Sequence, residues 1–377
     1  MSGTPSRRSA AELIAACVRP EVLALSPYHI PEAGDLVKLD AMENPYPLPV
    51  EVAGALSRAL AGAELNRYPD GAGRTVKAAL AEHFAVPQEL GLLLGNGSDE
   101  LLELIMLACG GHGRTLLAPV PTFSMYEILA RLTGTRFVPV PLDPDTLQLD
   151  LDATVAAIER ERPDFVVLAR PNNPTGVCYP RADVEAVLEA TAGLVVIDEA
   201  YAPFADDALL ASVPAWPQVI CLRTLSKMGL AGIRLGFAAA DPAVIDALER
   251  ARLPYNVNVL TQLAAQVVLT HPACLEDQVG AILASRSRLG DALAAMPGVR
   301  VWPSQTNFLL IETPHTGRVV FEGLRDRGVL VKSMTGAHPY LERAIRVTVG
   351  TDAENQRFVA ALTETLEALG ESECDVP

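Results

Sequence analysis

The residues that could do chemistry begin with Lys227. It sits in Thr224-Leu225-Ser226-Lys227-Met228-Gly229, with Arg234 seven positions further on. The apolar run Val219-Ile220-Cys221-Leu222 comes just before and reads as a buried strand. A lysine delivered to the end of such a strand loses its charge by desolvation and becomes a nucleophilic amine. That amine can hold an aldehyde as a Schiff base. The arginine, with the hydroxyls of Thr224 and Ser226, can hold a phosphate. A small molecule carrying both groups is pyridoxal phosphate. A lysine after a strand is more often merely solvated, so the reading depends on what else converges there.

Asp198 follows the apolar residues Leu194 to Ile197. A carboxylate there is costly unless a cation or a hydrogen-bond donor meets it. A protonated pyridine nitrogen is such a partner, and its protonation makes the ring an electron sink. Tyr201, three residues on, and Asn173, after the preceding strand, could both hydrogen-bond the ring's phenolate oxygen. Gly97-Ser98-Asp99 opens an apolar helix, whose free N–H groups and partial positive charge suit an anion. Phe123 follows a strand and could lie flat on a planar ring. Arg346, inside Ile345-Arg346-Val347, either faces outward or serves an anionic ligand. Tyr68, in the turn Asn66 to Gly71, reads by itself as a surface aromatic. Taken singly, a capping aspartate, a core tyrosine and an Asx turn are the better readings. Taken together, in this order and one strand–helix unit apart, they are not.

The elements that must position these groups alternate from residue 115 onward. Short apolar strands are expected at 115–118, 136–140, 165–168, 194–197, 219–222 and 235–238, with helices between them. Continuously apolar strands alternating with helices predict an α/β fold with a mostly parallel sheet covered on both faces. Ligands of such sheets lie at the carboxyl ends of the strands, so Asn173, Asp198, Tyr201, Ser226 and Lys227 should converge. A smaller α+β domain is expected at 257–377, a large ligand-binding domain at 48–256, and an N-terminal segment, 1–47, packing with the smaller one.

Composition narrows the partners. The chain has 377 residues, half of them hydrophobic, which is enough for two domains. A net charge of -16 argues against a nucleic acid or an anionic membrane, either of which wants a basic patch. Small anionic substrates remain compatible, because a few buried arginines set a local field. The six cysteines form no C-x-x-C pair, so reduced thiols in a cytosolic, cytoplasmic protein and no metal site are expected. No stretch is long enough to span a bilayer. Arg7-Arg8 followed by residues 10–16 mimics a signal peptide, but Glu12 and the short apolar run favour a helix.

With these residues in hand, the motifs Asn172-Asn173-Pro174-Thr175-Gly176, Asp198-Glu199-Ala200-Tyr201, Ser226-Lys227 with Arg234, and Arg346-Val347-Thr348-Val349-Gly350 resemble the pyridoxal-phosphate aminotransferases of fold type I, class I/II. The resemblance covers nearly the whole chain. It is greatest to the histidinol-phosphate aminotransferases, through Glu43-Asn44-Pro45-Tyr46, Arg67-Tyr68-Pro69-Asp70, Gly95 to Glu100, and Pro254-Tyr255-Asn256-Val257-Asn258. It implies that Lys227 binds the aldehyde and then shuttles a proton. Asp198 would pair with the pyridine nitrogen, Tyr201 and Asn173 with the ring oxygen, and Phe123 would stack. Thr224, Ser226, Arg234, Gly97, Ser98 and Asp99 would hold the cofactor phosphate. Tyr68 would reach that phosphate in the other subunit of a homodimer. Arg346 would hold the substrate's anionic group, with Tyr28 and Asn44 lining the same pocket. The implied reaction moves an amino group between glutamate and imidazole acetol phosphate, giving histidinol phosphate and 2-oxoglutarate in histidine biosynthesis. An aromatic-amino-acid aminotransferase or a threonine-phosphate decarboxylase on this scaffold would keep Lys227, Asp198 and Arg346. Such an enzyme would differ around Tyr28, Asn44 and Tyr255. A non-catalytic binding module would not need Lys227.

Overall fold

The computed structural model describes residues 8–27 and 31–374, with side chains up to residue 371. Its strands in chain order are β1 (Val37–Lys38), β2 (Gly91–Gly95), β3 (Thr115–Val120), β4 (Arg136–Pro141), β5 (Phe165–Ala169), β6 (Leu194–Asp198), β7 (Val219–Thr224), β8 (Gly236–Ala240), β9 (Arg300–Val301), β10 (Phe308–Glu312), β11 (Val329–Leu330), β12 (Lys332–Ser333) and β13 (Ala344–Thr348).

Seven of these form the main sheet in the order β2-β8-β7-β6-β5-β3-β4. Only β8 runs against the others. Every residue of β5, β7 and β8 is buried. Side chains alternate between two covered faces, so no polar face interrupts the apolar run. Val166 and Leu168 enter one core with Leu117, Val195 and Cys221. Phe165, Val167 and Ala169 enter the other with Leu101, Tyr126 and Ile220. At the edge, β4 carries Pro139 and Pro141, both exposed, where a missing N–H costs no ladder bond.

A smaller antiparallel sheet, β12-β13-β10-β9, places Arg346 opposite Leu310 on one side and Lys332 on the other. Its core joins Phe308, Ile311 and Val347 to Ile282 and Leu289 of the helix Pro272–Ala294 and to Phe358 of the helix Asp352–Cys374. The N-terminal segment reaches both bodies. β1 pairs in parallel with β11, and Leu39 is buried in the small sheet's core. Arg19 donates to the carbonyl of Leu132 at the end of the helix Met125–Thr133. The helix Val259–Leu269 falls within the range expected for the smaller unit. It nevertheless packs Ala265, Val268 and Leu269 into the main sheet's core with Val52, Val76 and Leu80. Among the described residues, no helix is long and apolar enough to cross a membrane, and no cluster of side chains could hold a metal ion.

Candidate active site

The carboxyl ends of β5, β6 and β7 open onto a cavity. Its lining includes Ser98, Asp99, Phe123, Asn173, Asp198, Tyr201, Thr224, Ser226, Lys227 and Arg234. Residues spread from 98 to 234 therefore meet, as the strand topology requires. A larger cleft continues outward between the edge strand β4 and the segment 332–341, and is lined by Lys332, His338 and Arg346. Met42, Phe123 and Asn173 border both spaces.

One end of the cavity is built for an anion. The helix Ser98–Cys109 begins after Gly97 with no side chain capping its N–H groups. Gly97 has φ +82°, and a Cβ there would lie 2.8 Å from the Arg234 guanidinium. Ser226 Oγ lies 2.9 Å from the Thr224 hydroxyl and 3.4 Å from the Arg234 guanidinium. Arg234 also reaches Asp99 at 3.4 Å. These long contacts leave the guanidinium's donors only loosely used.

The other end holds a buried carboxylate. Asp198 accepts from the Tyr126 hydroxyl at 2.8 Å and from the Ala200 N–H at 3.1 Å. Burial still pushes its pKa up to about 6, although both hydrogen bonds pull it down. A cation beside it would reverse that cost. Between the ends lies Lys227, half-buried, whose amine is brought down to about 8 by burial first and by the charge of Arg346 second. Its Nζ lies 3.4 Å from the Ala41 carbonyl and 5.6 Å from the centre of the Tyr201 ring.

Asn173 accepts from Arg346, and among the described residues no hydrogen bond engages its amide nitrogen. The Tyr201 hydroxyl donates to Met42 Sδ at 3.2 Å. Arg346 is buried and also donates to the Asp40 carbonyl at 3.0 Å. An uncapped helix start with an arginine, a weakly basic amine, a flat aromatic ring and a buried carboxylate together match phosphate, aldehyde, ring face and ring nitrogen. The donor set thus fits pyridoxal phosphate.

Asn44 and Tyr68 stand apart from this chain's cavity. Tyr28 lies outside the described residues. Asn44 lines neither space; its amide nitrogen donates to the Met228 carbonyl at 3.2 Å and to Gln278 at 2.8 Å, tying the N-terminal segment to the turn after Lys227. Tyr68 is 80% exposed and stacks on Tyr255 with ring centroids 4.5 Å apart, away from this chain's own cavity. Two residues went unread in the sequence. Tyr126 lies one helical turn beyond Phe123, and the available signal was a tyrosine in an apolar helix, which needs a polar partner when buried. Met42 adopts φ +55°, and nothing in its type announces that.

Comparison with known proteins agrees with this geometry. The family model for aminotransferase class I and II matches residues 34–362. The chain belongs to that family. Within it, the histidinol-phosphate aminotransferase of Chromobacterium violaceum is 47% identical over 92% of this chain and 96% of its own. Histidinol-phosphate aminotransferase 1 of Ralstonia nicotianae is 46% identical over 97% of this chain and 99% of its own. The crystal structure of the Sinorhizobium meliloti histidinol-phosphate aminotransferase, in complex with pyridoxal-5'-phosphate, superposes with a TM-score of 0.84 at 28% identity. That match covers 94% of this chain and 98% of that one. A Thermus thermophilus aspartate aminotransferase shares the fold at 23% identity, with a TM-score of 0.77 over 92% and 99% of the two chains. The chain is accordingly a class I and II aminotransferase with the fold type I architecture.

Proposed function

We propose that this aminotransferase uses pyridoxal phosphate to move an amino group between L-glutamate and imidazole acetol phosphate. Its products are L-histidinol phosphate and 2-oxoglutarate, a step of histidine biosynthesis. The observation that carries the substrate assignment is the 47% identity to a histidinol-phosphate aminotransferase over 96% of that enzyme's length. The cavity supports the chemistry.

When bound, pyridoxal phosphate supplies an aldehyde for the amino group and a ring that accepts electrons from the substrate carbon. The chain's residues supply the rest. Gly97, Ser98, Asp99, Thr224, Ser226 and Arg234 hold the phosphate end. Phe123 covers one face of the ring. Asp198, whose ionised form Tyr126 and the Ala200 N–H favour, meets the ring nitrogen. Asn173 and Tyr201 donate to the ring oxygen. Lys227 is the base that takes the proton from the substrate carbon and returns it. With a pKa near 8 it holds or releases a proton close to neutrality, where such a base is most effective. Arg346 takes the anionic group of each substrate in turn, the carboxylate of glutamate and the phosphate of the other.

Tyr68 completes the phosphate site of a second copy in a homodimer. Its exposure on a turn, stacked on Tyr255, supports an outward role. The free thiols Cys17, Cys109, Cys178, Cys221 and Cys274 support a cytosolic setting. The test is glutamate production from histidinol phosphate and 2-oxoglutarate. Lys227→Ala should lower that rate at least about 1,000-fold while the protein still folds. Unchanged turnover by this variant would overturn the assignment of Lys227. No glutamate from the unmutated enzyme would overturn the substrate.

A further inference from the structure

We infer that Met42 is a positioning residue: its sulfur parks the Tyr201 hydroxyl at the wall between the cofactor cavity and the substrate cleft. This rests on the reading that Tyr201 donates to the ring oxygen of pyridoxal phosphate.

Met42 lies on the short turn after β1, and three successive carbonyls of that turn accept side-chain hydrogen bonds, two of them from site residues. The Asp40 carbonyl accepts from Arg346, that of Ala41 from Lys227, and that of Met42 from Asn307 at 2.9 Å. The Met42 N–H donates to the Thr348 hydroxyl at 2.9 Å. The residue between these clamps has φ +55°, a left-handed conformation that is unfavourable for a residue with a β-carbon. The surrounding bonds over-determine it. The turned backbone aims the side chain inward, where it borders both the cavity and the cleft and meets the Tyr201 hydroxyl.

The element at this position matters. A thioether is a weak acceptor. It gives a buried hydroxyl a partner, yet it competes poorly with a ring oxygen bearing negative charge. Tyr201 has its other face packed edge-on against Phe308, with centroids 5.2 Å apart, so its ring stays in place. The hydroxyl therefore swings from sulfur to cofactor without moving the ring. A strong acceptor of the same length at position 42 would retain it.

The test is the pH midpoint of the bound cofactor's visible absorbance, read in the holoenzyme without substrate. A donor to the ring oxygen stabilises its negative charge and lowers that midpoint. Met42→Gln should raise the midpoint by about half to one pH unit, approaching the value for Tyr201→Phe. Met42→Leu, of similar volume and with no acceptor, should not raise it. Met42→Gln combined with Tyr201→Phe should equal Tyr201→Phe alone. If Met42→Gln and Met42→Leu raise the midpoint equally, the residue acts by packing and the proposal is wrong. If Tyr201→Phe shifts the midpoint but Met42→Gln does not, Met42 has no hold on the hydroxyl. If Tyr201→Phe itself shifts nothing, the reading of Tyr201 fails and the proposal falls with it.

Discussion

The guanidinium of Arg346, on an inner strand of the small sheet, donates to the side-chain oxygen of Asn173, on the loop leaving β5 of the main sheet. The bond joins the residue assigned to the substrate's anion to one assigned to the cofactor's ring oxygen. It also fixes which way the Asn173 amide faces, because the oxygen is held by a cation and the nitrogen is left toward the cavity. A hydrogen bond to a buried charge is worth about 1.5–3 kcal/mol. Asn173→Ala should therefore weaken the cofactor and the substrate together, lowering kcat/KM about 10- to 100-fold. In a double-mutant cycle with Arg346→Gln, the effects should not add. Strict additivity would mean that the bond has no part in function.

Cofactor capture should depend on pH through Lys227. Only the neutral amine attacks an aldehyde, and burial with the Arg346 charge brings the pKa down to about 8. The capture rate of apo-protein should rise through pH 8 and level off above it. Arg346→Gln removes one of the depressing charges, so its midpoint should move up. Stopped-flow absorbance over a pH series measures both. A wild-type midpoint near 10, the ordinary lysine value, would contradict the assignment.

The phosphate end can be tested by a single methyl. Gly97→Ala puts a Cβ 2.8 Å from the Arg234 guanidinium at φ +82°. The guanidinium must shift, and the cofactor's Kd should rise roughly 10-fold, as loss of one charge-assisted contact predicts. Gly280 provides the control, since a Cβ there meets nothing within 4 Å and the residue lies inside the helix Pro272–Ala294. Gly280→Ala should leave cofactor binding alone and raise stability by about 0.5–1 kcal/mol. Cofactor titration and thermal melting separate the two effects.

Next to Asp198 lies a structural ion pair. Glu199 is fully buried and meets Arg223 at 2.7 Å, with the Leu209 N–H and the Cys221 thiol also directed at its carboxylate. Arg223→Met should destabilise the protein by about 3–5 kcal/mol, because the carboxylate is left without its cation. The double variant Glu199→Leu with Arg223→Met should recover most of that loss. Chemical denaturation of the apo-protein measures both. A milder single than double variant would show that the buried carboxylate tolerates the loss of its cation.

Much of the main sheet was legible because buried parallel strands write continuous apolar runs. β3 to β8 each stand over the stretch where such a run occurs, and the polar residues that close β5, β6 and β7 mark the cavity. β2 was not read, because Leu92-Leu93-Leu94 merges into the glycine turn and the helix that follows. Asn44 could not be oriented from sequence, since its amide is used by Met228 and Gln278, which are remote along the chain. Tyr126 and Met42 were missed for a related reason. The first is defined by a partner 72 positions away, and the second by a backbone angle imposed by Thr348 and Asn307. The helix Val259–Leu269 shows the limit of composition, because its apolar face fits either core and only packing decides.

The most direct measurement is a half-reaction. Cofactor-loaded protein would be mixed with histidinol phosphate and, separately, with phenylalanine and with threonine phosphate, while the visible absorbance is followed. Rapid bleaching by histidinol phosphate and not by the other two is the predicted result. Bleaching by phenylalanine with no response to histidinol phosphate would contradict the substrate assignment, leaving Arg346 as a carboxylate site on an aminotransferase of different specificity.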